Sequence, residues 1–158
     1  MPSTMTLYNS FYQNIGSGVL DLKNDTIKII LVTSAYTPDA AHTVLADINA
    51  SPDPEVVPVA SPDNGYTAGG ETLTGQTVTQ VITPAVLSTL DADNVTWTSL
   101  TAGFRYAVMY SLKTVGGIVN PLIAWILFDD TPADINIGGI DFIIQWPTAG
   151  IITWGPTT

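Results

Sequence analysis

The sequence predicts a mainly β protein, an antiparallel β-sandwich or open barrel of about seven to nine short strands with one short helix. Three observations carry that expectation. Thr, Val, Ile, Gly, Asn and Pro dominate, which favours strands and turns over helices. Short apolar or alternating runs recur between Gly, Pro, Asn and Asp clusters. Only one stretch carries a helical spacing of apolar residues.

Residues 1–20 are expected to form an N-terminal arm, irregular or strand-like, closing at Gly16 and Gly18. Residues 21–158 are expected to form a single β domain with a Pro-rich loop at 51–65. Residues 26–34 give the clearest strand. Ile27, Ile29 and Leu31 share one face while Lys28, Ile30 and Val32 share the other, so the strand is central or covered on both sides. Residues 37–49 are the expected helix, with Thr37 as cap, Pro38 in the first turn and an apolar stripe of Ala41, Val44, Leu45 and Ile48. Asn49 and Pro52 would stop it.

The loop at 51–65 holds Pro52, Pro54, Pro58 and Pro62, with room for a short edge strand at 56–60. Gly69-Gly70 predicts a turn or bulge before a strand, and a Thr/Val alternation follows to Val81. Val95 and Trp97 alternate with Thr96 and Thr98. Phe104, Tyr106, Val108 and Tyr110 alternate with Arg105, Ala107 and Met109. These are expected as neighbouring strands around a turn at 101–103. Residues 123–128 form another strand apolar on both faces, and 142–146 and 151–154 close the chain as short strands.

Of 158 residues only 11 % are charged, and 4 basic against 14 acidic side chains leave a net charge of −10. Four cations cannot neutralise a run of phosphates, so neither a nucleic acid nor an anionic membrane surface is an expected partner. With no Cys, disulfides, thiol catalysis and Cys-ligated metals are excluded. The most apolar runs are far too short to span a bilayer.

No catalytic, metal-binding or cofactor-binding residue is expected. His42, the sole histidine, falls on the flank of the expected helix, and no serine sits in a nucleophile elbow. Asp91-Ala92-Asp93-Asn94 resembles the start of a calcium loop, but Thr96 and Ala102 stand where that loop needs Gly and Glu, so a polar turn is expected. Neither Gly69-Gly70 nor Gly138-Gly139 leads into the Lys of a phosphate loop, so both are expected as tight turns or bulges.

The functional candidates are contact residues. Trp146, followed by Pro147, and Trp154, followed by Gly155-Pro156, are candidates for an interface, where Trp is enriched. Tyr8, Phe11 and Tyr12 are the aromatic candidates of the arm. Arg105, the single Arg, lies between Phe104 and Tyr106 and is expected in a structural ion pair, with Asp129 and Asp130 as candidate partners.

Several ordered blocks carry a resemblance: Ile27-Lys28-Ile29-Ile30-Leu31-Val32-Thr33-Ser34-Ala35-Tyr36-Thr37-Pro38, His42-Thr43, Asp47-Ile48-Asn49, Gly65-Tyr66-Thr67-Ala68-Gly69-Gly70-Glu71-Thr72-Leu73, Val95-Thr96-Trp97 and Arg105-Tyr106-Ala107-Val108. From about residue 20 to 128 the chain resembles small virion structural proteins of tailed bacteriophages, either head-decoration or tail-associated. The resemblance implies no active residue. It implies self-association, as a trimer about a local symmetry axis, and the major capsid protein lattice as partner.

The leading expectation is therefore a non-enzymatic capsid decoration or cement protein on the outer surface of the virion, stabilising the head against internal pressure. A neck or tail structural protein of the same particle is the first alternative. A receptor- or carbohydrate-binding β-module is the second.

Overall fold

The computed structural model describes residues 4–50, 53–81 and 87–155. Met1, Pro2 and Ser3 of the expected arm, Ser51 and Pro52 of the expected loop, and Pro156 lie outside the described residues. In chain order the elements are β1 (Thr4–Leu7), α1 (Ser10–Gly16), β2 (Ile27–Val32), α2 (Leu45–Ile48), β3 (Glu71–Thr72), β4 (Thr77–Val81), β5 (Leu87–Asp91) and β6 (Val95–Phe104), then β7 (Tyr106–Ser111), β8 (Thr114–Val115), β9 (Ile118–Val119), β10 (Leu122–Leu127), β11 (Ile135–Ile144) and β12 (Ile152–Trp154). The fold is mainly β. A five-stranded sheet runs β1-β10-β7-β2-β3, a three-stranded one β12-β5-β4, and β11-β6 and β8-β9 form two-stranded ribbons. All the pairings are antiparallel. Where about seven to nine strands and one helix were expected, the described residues hold twelve strands, several of them only two residues long, and two helices.

The β2 alternation is as expected. Ile27, Ile29 and Leu31 join a large core, with Trp97, Leu100 and Phe104 from the opposing ribbon. Ile30 and Val32 join a second, smaller core with Tyr8, Tyr36, Ile48, Tyr106, Val108 and Tyr110. β2 thus lies between β7 and β3 with both faces covered. β10 changes phase at a bulge between Leu122 and Ala124, which lets Ile123 and Ala124 both enter the large core.

The expected helix at 37–49 shrinks to Leu45–Ile48. Asp39 accepts the Ala41 N–H at 2.9 Å, and Asp47 accepts those of Thr43 and Val44 at 2.8 and 3.1 Å. These local bonds build turns from the same N–H groups a longer helix would need. Val44 then bridges to Pro121 instead of extending a helical stripe.

The expected arm does not stand apart from the fold. β1 pairs with β10 from Thr4↔Leu127 to Leu7↔Ala124, and α1 follows. Tyr8 and Phe11 are 0 % exposed, so these two expected contact residues are core residues. Phe11 enters the large core, while the Tyr8 ring packs 4.8 Å from Trp125.

The expected strand at 56–60 is absent. Glu55 makes a single bridge to Val32. Beyond it, the Asn64 side chain accepts the Val59 N–H at 2.9 Å and donates to the Val57 carbonyl at 3.0 Å. Glu55 Oε1 accepts the Tyr66 hydroxyl at 2.9 Å and the Gly69 N–H at 2.7 Å, tying both ends of the loop together. Gly70, at φ 71°, lies against the Ile29 carbonyl with no room for a side chain, which makes the expected turn before β3 possible.

The buried phenols give the stability an alkaline limit. Burial, then the bonded Tyr36, pushes the Tyr8 hydroxyl far above its ordinary value of 10.0; burial, then the Glu55 charge, does the same to Tyr66. The folded state keeps both protons where the unfolded chain gives them up, so this contribution is complete below pH 10.0 and falls as pH rises past it. Urea midpoints measured from neutral pH upward are expected to stay level and then drop above about pH 10, with Tyr8→Phe flattening the drop.

Candidate functional site

The described residues present a contact surface built on the β6–β11 ribbon. β6 alternates inward residues Val95 and Trp97 with exposed Thr96 and Thr98. Ser99, at φ 51°, shifts the phase so that Leu100 and Phe104 also face inward. The Asp141 carboxylate on β11 accepts the Ser99 N–H at 2.9 Å and holds this irregularity. The register of β11 shifts twice against it, between Gly138 and Ile140 and between Ile140 and Phe142. Gly138-Gly139 is accordingly part of a bulged strand. The turn expected at 101–103 does not form, because β6 continues to Phe104.

The chain crosses from the ribbon to the five-stranded sheet at Arg105. Its N–H donates to the Val32 carbonyl at 2.8 Å, and its carbonyl accepts the Phe128 N–H at 3.2 Å. The expected ion pair is not found: among the described residues Arg105 contacts neither Asp129 nor Asp130, and the ion pair present joins Lys113 to Asp25 at 2.7 Å. The Arg105 guanidinium lies 5.2 Å from the Tyr106 ring centre. Asp129 is held below the usual carboxylate range first by hydrogen bonds from Thr131, whose N–H donates at 3.0 Å, and less by the Arg105 charge.

Beside the ribbon, where β11 runs past β1 and β10, lies a groove of about 400 Å³ lined by Met5, Ile126, Phe128, Phe142, Ile143 and Trp146, among others. No charged side chain lines it. Phe104, Phe128 and Phe142 pack mutually edge to face behind it, with ring centres 4.8–5.7 Å apart. Trp146 is fixed at one end by its Nε1–H donating to the Asp93 carbonyl at 2.9 Å and by its backbone N–H donating to Asn94 at 3.0 Å. On the outward side, Ile140 is 61 % and Ile143 45 % exposed.

The other candidates are dispersed. Trp154 is half-buried against Phe11, 6.3 Å away, at a separate shallow pocket. Tyr12 is 61 % exposed on α1, edge-on to Phe11. His42 Nδ1 lies 3.3 Å from the Tyr36 hydroxyl, which lies 2.9 Å from that of Tyr8. The Asp93 carboxylate takes the Thr74 hydroxyl at 3.2 Å in the polar turn after β5.

Of the expected contact residues, only Trp146 belongs to this groove. Ile140 and Ile143 were not singled out in the sequence, although four apolar residues within 140–144, occupying both strand faces, were a signal for an outward apolar surface. Met5, Ile126 and Ile151 join it only through folding. Comparison with protein-family models, with curated proteins and with solved structures finds no match to this chain.

Proposed function

We propose that the chain is a non-enzymatic structural protein of a tailed-phage virion, a decoration or cement component docked on the outside of the major capsid lattice. The observation that carries this reading is the open edge of β11 beside an uncharged groove, with Ile140 and Ile143 facing outward. A strand edge supplies backbone hydrogen bonds to a neighbour, and adjoining apolar side chains supply buried area. The sequence blocks that resemble small phage virion proteins point to the same use, and a shell component needs no nucleophile. The five-stranded sheet and the smaller sheets facing it across the large core are read as an open sandwich. Self-association about a local symmetry axis is part of the proposal.

Counting the chain against the major capsid protein in purified particles tests the reading. A fixed stoichiometry with the capsid subunit is the expected result. A trace amount, confined to fractions that carry neck or tail, would transfer the protein to that alternative.

A further inference from the structure

We propose that the C-terminal half of β11 and its groove receive an extended segment of a partner protein, added as a strand to the free edge, with apolar side chains at alternate positions and Lys or Arg at its ends. The inference rests on the docking reading above and adds the pose and chemistry of the docked segment.

Three observations carry it. First, β11 pairs with β6 on one side, and among the described residues no strand pairs with its other edge. Folded proteins guard such edges with Lys, Pro or a bulge. β11 has neither Lys nor Pro, its bulged stretch begins at Gly138, and the charge of Asp141 is engaged by Ser99. Residues 140–144 are thus left unguarded while exposing two isoleucines. Second, the groove is apolar and its rear wall is a packed aromatic trio, so it offers preformed space for side chains.

Third, the charges specify the partner. Asp129 and Asp130 follow Phe128 in the chain and Asp141 precedes Phe142, so carboxylates flank two of the groove's lining residues. The cations are engaged or lie elsewhere. Lys113 is bound to Asp25, and Lys28 sits where β2 pairs with β3, across the sheet from β1. Lys23 lines the separate pocket near Trp154, and Arg105 is turned over Tyr106. A second copy of this chain would bring the same carboxylates and its own net charge of −10 to the contact, whereas a segment with basic ends complements it.

The probe is a capped, fluorescently labelled peptide of about nine residues, the length of a strand, alternating Val and Thr between Lys ends. A matched peptide with Glu ends is the comparison. Saturable binding of the Lys peptide, with the Glu peptide at least about tenfold weaker, is expected. Ile143→Asp is expected to weaken the Lys peptide about tenfold or more, whereas Val119→Asp, on exposed β9, leaves binding unchanged. Asp129→Asn combined with Asp130→Asn is expected to reduce the preference for Lys ends. Circular dichroism and the urea midpoint check that each variant is folded.

Equal binding of the two peptides overturns the charge assignment, and unchanged binding by folded Ile143→Asp and Ile140→Glu overturns the site. A wild-type dimer that Ile143→Asp converts to monomer gives the edge to a second copy instead. Capsid binding separates this inference from the docking reading. Wild-type binding that Ile143→Asp leaves undiminished removes the inference alone, while peptide binding at β11 without capsid binding removes the capsid as the partner.

Discussion

Phe104→Ala is expected to lower the unfolding free energy by about 3–5 kcal/mol, the range for emptying a buried aromatic site. Phe104 is 0 % exposed, and its ring meets Phe142 at 4.8 Å and Phe128 at 5.7 Å, both near edge-on. It also occupies the last position of β6 before the chain crosses at Arg105 into β7. The three rings come from β6, from β11 and from the end of β10, so the cavity opens where the ribbon and the five-stranded sheet meet. Phe128 and Phe142 line the groove, so the same substitution loosens the contact surface from behind. Urea denaturation measures the stability loss. A loss under about 1 kcal/mol would mean that the site collapses around the smaller side chain, and would contradict a rigid rear wall.

Asp25→Ala is expected to cost about 2–4 kcal/mol. Removing one partner of a buried ion pair typically costs about 3–5 kcal/mol, reduced here because the pair retains some contact with water. Asp25 Oδ1 takes the Lys113 ammonium at 2.7 Å, while Oδ2 takes the Ser111 hydroxyl at 3.0 Å and the Asp21 N–H at 2.9 Å. The Asp25 and Lys113 side chains are only 11 % and 22 % exposed, and Ser111 is fully buried. Truncation leaves a mostly buried ammonium and a buried hydroxyl without their acceptor. Asp25→Asn is expected to recover part of the loss, and Asp25→Leu with Lys113→Met to cost less than Asp25→Ala alone. Chemical denaturation of the three proteins checks that order.

The parts of the fold legible in the sequence are those written in side-chain period. Ile27 to Val32 alternate between two apolar faces, and β2 is accordingly buried on both. Trp97 was expected in the core from its place in an alternating strand, and it is fully buried. Propensity and periodicity failed where other forces acted. Residues 37–49 have a helical stripe, but the Asp39 and Asp47 side chains divert the backbone donors into turns. Ser10–Gly16 has weak helix formers and no side-chain cap, and it is helical because Phe11 and Asn14 are buried against the sheet. Arg105 was read as one partner of an ion pair, whereas its backbone occupies a corner between sheets and its guanidinium takes an aromatic face.

The candidate site was less legible than the fold. Trp146 stood out by residue type, but the residues around it are scattered from Met5 to Ile151, and only the strand order brings them together. The bulged course of β11 hid its length, because Gly138-Gly139 was compatible with a turn as well as with a bulge. The paucity of charge acquires a local meaning in the structure: the groove is free of charged side chains, and acidic residues flank part of its lining.

The most direct measurement is electron cryomicroscopy of capsids that lack this chain, imaged after mixing with the purified protein. The account expects saturable density on the outer surface at equivalent lattice positions, with β11 facing the shell. Failure to bind, or density confined to the tail vertex, would contradict it.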